Sequence, residues 1–103
     1  MNHAANNGAT PLFMACQNGH ESTARLLLGK GATVDPADND GDTPLFMACA
    51  QGHESTARLL LNNGASVNHV NNYGKTPMLY ACHYKQEAVA RFLARRGANI
   101  NKQ

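Results

Sequence analysis

An all-α repeat solenoid of helix-turn-helix units joined by β-hairpin-like loops is the fold class this sequence predicts, on three observations. The chain aligns with itself at an offset of 33 residues, which relates Thr10-Pro11, Thr43-Pro44 and Thr76-Pro77, and likewise Cys16, Cys49 and Cys82. Residues 8–34 and 41–67 agree at 21 of 27 positions, and residues 41–67 and 74–100 at 11 of 27, which chance cannot produce. Each copy holds two apolar-periodic segments too short to persist alone as helices in water, so stacking of copy on copy must supply the buried surface. The copies span about residues 5–37, 38–70 and 71–103 of one domain covering 1–103, the third resembling a C-terminal cap.

Within a unit the elements follow in order. Thr43 before Pro44 starts the first helix, because the hydroxyl caps a free backbone N–H and proline at the first helical position lacks the donor that would be orphaned. Leu45, Ala48 and Cys49 then share a face at i, i+3, i+4. That helix stops near Gly52. A second runs from about Glu54 to Asn63, with Ala57, Leu60 and Leu61 on one face, and Gly64 ends it. The stretches from Asp35 to Gly41 and from Asn68 to Gly74 are rich in turn formers and are expected to form strand-like hairpins between units.

Composition excludes several function classes. At 103 residues the chain is too small for a cofactor domain plus a substrate domain. A net charge of +2 is far from the concentrated positive charge of a nucleic-acid binder, so no nucleic-acid partner is expected. The longest aliphatic runs, Leu26-Leu27-Leu28 and Leu59-Leu60-Leu61, fall far short of the ~20 apolar residues of a membrane span. Met1 to Asn6 has neither the basic start nor the apolar stretch of a signal peptide, so a soluble cytoplasmic or nuclear protein is expected.

The succession of Gly41, Thr43-Pro44-Leu45-Phe46-Met47-Ala48, Gly52-His53 and Leu60-Leu61-Asn62-Asn63-Gly64-Ala65 resembles the ankyrin repeat, whose pattern runs glycine, Thr-Pro-Leu-His-x-Ala, Gly-His, Leu-Leu-x-x-Gly-Ala. Residues Gly8 to Ala32 match it equally well and Gly74 to Ala98 more loosely. Phe13, Phe46 and Leu79 replace the motif histidine, and Lys85-Gln86 replaces Gly-His in the third unit. The resemblance implies a non-catalytic protein-interaction module whose hairpins and short helices line a concave face that contacts a protein partner. It also makes Asn68 a candidate for asparaginyl hydroxylation, since Val67 precedes it and Leu60 lies eight residues before it. A purely structural segment, or a truncated or engineered scaffold with no partner of its own, is the alternative class.

Motifs that imitate chemistry fail on spacing. Cys16/His20 and Cys49/His53 share i, i+4 spacing, but Gly19 and Gly52 break the helix between them and no Cys-x-x-Cys exists, so no metal is expected. Gly74-Lys75-Thr76 imitates the end of a phosphate-binding loop with His69 where its first glycine belongs. Asp38-Asn39-Asp40-Gly41-Asp42 imitates a calcium loop with Pro36 and Met47 where acidic ligands are required. No nucleophile, base and oxyanion donor assemble, and no enzyme activity and no cofactor are expected. His20 and His53 read as turn residues bonding to backbone. All three cysteines read as buried, reduced thiols where the family commonly has alanine.

The chain's own variation marks the candidate recognition surface. The first two units differ at Ala9/Asp42, Gln17/Ala50 and Asn18/Gln51, at the hairpin tip and the end of the first helix. The third unit carries Tyr73, Lys75, His83 and Tyr84 there, and exposed tyrosines flanked by charge make good interface anchors. With Asn7 and Asp40 these residues form the expected protein-binding set. Residues 1–51 carry a net −3 and residues 52–103 a net +5, a split that steers a partner of complementary pattern. The first unit repeats the interior pattern with Leu12, Phe13, Met14, Leu27 and Leu28, so weak self-association through an uncapped N-terminal face is expected.

Overall fold

The computed structural model describes residues 8–99. Six helices follow in pairs: α1 (Pro11–Gln17) with α2 (Glu21–Gly29), α3 (Pro44–Ala50) with α4 (Glu54–Asn62), and α5 (Pro77–His83) with α6 (Glu87–Arg95). Short helices stack α1 on α3 on α5, and longer ones α2 on α4 on α6, so each unit covers its neighbour. Every short helix begins at proline, and the Thr10 and Thr76 hydroxyls accept from the N–H groups of Phe13 and Leu79 at 3.2 and 3.3 Å. Thr43 departs from this: its Oγ1 is buried and makes no bond. No described helix is long and apolar enough to cross a membrane.

Leu12, Leu45, Leu60, Val89 and Leu93 fill the core, with Ala24, Ala48, Ala57 and Ala81 where helices approach closely. The hairpin-like loops contain no strand among the described residues. Each of the two central loops closes through one backbone pair, Asp38 N–H to the Asp42 carbonyl and Asn71 N–H to the Lys75 carbonyl, both at 2.9 Å, too little for a ladder. The histidine expectation is also revised. Neither His20 nor His53 caps its helix with its side chain. The His53 ring instead packs on Gly19, where an added Cβ would lie 2.7 Å from the imidazole.

A recurring bond ties each loop to the next unit. Asp35 Oδ2 accepts from Ser66 N–H at 2.9 Å, and Asn68 Oδ1 accepts from Asn99 N–H at 2.8 Å, the same bond one repeat later. The Asn68 amide also donates to the Gly97 carbonyl at 3.2 Å, whereas Asp35 Oδ1 is buried without a partner. A carboxylate has no proton to offer the equivalent carbonyl, that of Gly64. Asp35→Asn is therefore expected to stabilise the protein by about 1 kcal/mol, raising the melting temperature by roughly 4–8 °C for a domain of this size. A thermal melt checks it; a lower melting temperature refutes it.

The thiols divide. Cys16 and Cys49 are buried and free, and burial pushes the Cys16 thiol up to about 12 and Cys49 further in the same direction. Cys82 is exposed, contrary to the expectation of three buried thiols, because it sits on the side of the third unit that α1 and α3 turn toward the following unit. A maleimide dye should label one thiol per chain rapidly, at Cys82, and two only after denaturant. Three equally slow thiols contradict this arrangement.

Candidate functional site

The loop tips are organised by two side chains at equivalent positions. Asp38 Oδ1 accepts from the N–H groups of Asp40 and Asp42 at 2.9 and 3.0 Å. Asn71 Oδ1 does the same for Tyr73 and Lys75, both at 2.9 Å. Such side-chain-to-backbone turns are what Asp and Asn favour. Successive tips are also joined: Asn72 N–H donates to the Asp40 carbonyl, the Asn72 amide to the Asn39 carbonyl, and the Tyr73 hydroxyl to Asp40 Oδ1, each at 3.0 Å. That last bond holds the Tyr73 phenol above its ordinary range, aided by the carboxylates beside it.

Beneath the tips of the second and third units lies a polar lock. The Asn71 amide donates to Asp42 Oδ1 at 2.7 Å and to the Tyr80 hydroxyl at 3.0 Å, and Tyr80 donates to both Asp42 oxygens at 3.0 and 3.2 Å. Burial raises the Asp42 carboxyl, opposed by the bonds from Asn71 and Tyr80. Burial likewise raises the Tyr80 phenol, with its bond to Asp42 adding to the effect. One repeat earlier the three positions are Ala9, Asp38 and Met47, an arrangement that needs no lock. The Ala9/Asp42 difference is thus a difference in unit-to-unit packing.

The expected contact residues fall into three groups. Asn18, Asp40, Gln51, Tyr73, Lys75, His83 and Tyr84 are exposed, and Gln17 is half-buried. Ala9, Asp42 and Ala50 are buried, because the neighbouring unit covers them, and they offer a partner no surface. Asn7 lies outside the described residues. Asn68 is exposed, with its amide already spanning to the third unit.

The third unit brings its four residues together. Around an open cleft of about 580 Å³ stand Tyr73, Lys75, Leu79, Tyr80, His83 and Tyr84. The Tyr80 and Tyr84 rings meet edge to face at 6.2 Å, His83 and Tyr84 at 4.7 Å, and the Tyr80 ring is backed by Phe46 at 5.0 Å. Tyr73 and Tyr84 are 65% and 54% exposed, two large aromatic side chains beside one cleft. Sequence reasoning missed Tyr80 and Asn71. Tyr80 replaces Met47 on the repeat, and a hydroxyl at that place is the one sign that could have pointed to the lock.

The curated proteins compared with the chain include no match. The family model for ankyrin repeats, in three copies, matches residues 1–71 and again residues 34–103. With the paired helices stacked at the 33-residue period and the Thr-Pro helix starts in place, the chain belongs to the ankyrin repeat family.

Proposed function

We propose that the chain is a non-catalytic module that binds another protein through its loop tips and short helices, chiefly those of the third unit. The observation that carries this reading is the gathering of Tyr73, Lys75, His83 and Tyr84 around one cleft. On the longer helices, by contrast, one arginine of each is engaged within its own helix: Arg25 with Glu21, Arg58 with Glu54 and Arg91 with Glu87, each at i, i+4. A three-unit face is large enough for the roughly 800 Å² per partner of an ordinary interface. Affinity capture from a lysate with wild type and with Tyr73→Ala/Tyr84→Ala tests the reading. Loss of the captured protein with the folded variant supports it, and equal capture overturns it. A cytoplasmic or nuclear setting fits three free thiols, and Asn68 stays the candidate for hydroxylation, readable as a mass gain of one oxygen.

Self-association belongs to the same proposal, with its residues revised. Leu12 and Phe13 are buried within the stack. The uncovered surface of the first unit is Pro11, Met14, Thr23 and Leu26, and Leu26 is 60% exposed where Leu59, one repeat later, is 8% exposed. Lys85 disfavours head-to-tail stacking: it occupies the place of Gly19 and Gly52 with a φ of 59°, and puts a side chain on the third unit where the first leaves Gly19 bare for His53 to pack on. First-unit faces are left to pair with each other. Sedimentation should show weak, concentration-dependent association that Leu26→Gln abolishes; a wild type that stays monomeric at high concentration contradicts this.

A further inference from the structure

We propose that the third-unit cleft takes a carboxylate-bearing peptide segment, an Asp or Glu side chain beside a bulky apolar or aromatic one. The inference rests on the protein-binding reading and adds the chemistry of what is bound. It follows from an imbalance of hydrogen-bonding capacity around the cleft. The Tyr73 hydroxyl is already given to Asp40 and the Tyr80 hydroxyl to Asp42. On the neighbouring rim Asp42 is occupied by Asn71 and Tyr80, while Asp38 and Asp40 each accept through Oδ1, from two backbone N–H groups and from Tyr73 respectively. Among the residues that line the cleft itself there is no carboxylate, and two donors are left over. Neither the Lys75 ammonium nor the Tyr84 hydroxyl has a hydrogen-bond or ion-pair partner among the described residues, and both line the cleft.

An ammonium and a phenol with nothing to donate to are matched by an anion that accepts from both, and a carboxylate does so with two oxygens. The rest of the cleft wall is ring and aliphatic surface, from Leu79, Tyr80 and Tyr84, which is matched by an apolar side chain next to that carboxylate. The wider field agrees. Among residues 71–99 five Lys and Arg side chains stand against Glu87 alone, so an acidic segment is drawn toward this end of the molecule. The three carboxylates of the second loop favour the opposite ligand, a basic segment, and the test sets one against the other.

Three synthetic nonapeptides serve as probes: acidic GSEFDLESG, neutral GSQFNLQSG and basic GSKFKLKSG. Each is titrated into the full ¹⁵N-labelled chain at low salt while amide shifts are followed by NMR. The acidic probe should shift the amides of Tyr73, Lys75, His83 and Tyr84 and half-saturate at a concentration about fivefold below the neutral one, as one charge-assisted contact provides. Lys75→Gln should bring the acidic probe to the level of the neutral one and leave the neutral one unchanged, while Tyr84→Ala weakens both. Tighter binding of the basic probe, indifference to Lys75→Gln, or no shift with any probe overturns the proposal. If those results come with a captured partner that Tyr73→Ala/Tyr84→Ala still loses, the carboxylate assignment falls and the protein-binding reading stands.

Discussion

Gly41→Ala is expected to destabilise the protein by about 2–3 kcal/mol, whereas Gly74→Ala, at the same place one repeat later, should cost only about 1 kcal/mol. Both glycines hold left-handed backbone, with φ of 82° and 75°. Only at Gly41 does the next unit press close: an added Cβ would lie 2.8 Å from the Asn72 backbone nitrogen, the atom that donates to the Asp40 carbonyl, while nothing lies within 4 Å at Gly74. The Gly74 variant therefore measures the conformational cost alone, and the excess at Gly41 measures the loop-to-loop junction. Against the ~5–15 kcal/mol of a typical domain, urea unfolding resolves the difference easily. Equal losses would mean that stacking of the loops contributes nothing.

Asn71→Ala should be comparably severe, at about 2–4 kcal/mol, because it leaves buried polar groups without partners. One amide organises the third loop through two accepted bonds and closes the lock through two donated ones. The lock also has a pH signature. Folding raises the Asp42 carboxyl above its ordinary value, so over the interval between the two values the native state holds a proton that the unfolded chain has released. Its contribution is most favourable below the unfolded value and is lost as pH rises through the folded one. Asp42→Asn, which cannot ionise, should gain on wild type as pH is raised from about 3 to about 7, in paired urea titrations. A constant gap between the two proteins would contradict the burial of a titrating Asp42.

Most of the fold is legible in the sequence, since it rests on local chemistry that the repeat displays three times. Thr-Pro marks each short helix, and the second helix of the middle unit ends one residue before the expected Asn63. Contacts between units are less legible. Ala9, Asp42 and Ala50 sit in loop-tip and helix-end positions that look exposed one unit at a time, and only the stacked neighbour buries them. Cys82 shows the converse: its equivalents Cys16 and Cys49 are buried by a following unit, and it is not. The lock joins residues 29 and 38 positions apart, and no single-repeat pattern pairs an Asp, an Asn and a Tyr at that separation. Tyr73, Lys75, His83 and Tyr84 could be found because they break the repeat; that they share one cleft follows from the turn set by Asn71.

Recognition by the loop tips and short helices is tested most directly by crosslinking mass spectrometry on the full chain bound to its captured partner, using a photoreactive label that does not select for residue type. Crosslinks should concentrate on Tyr73, Lys75, His83 and Tyr84, with fewer at Asp40 and Gln51. Crosslinks gathered instead on the longer helices, around Arg25 in α2 and Arg58 in α4, would contradict the assignment of the recognition face.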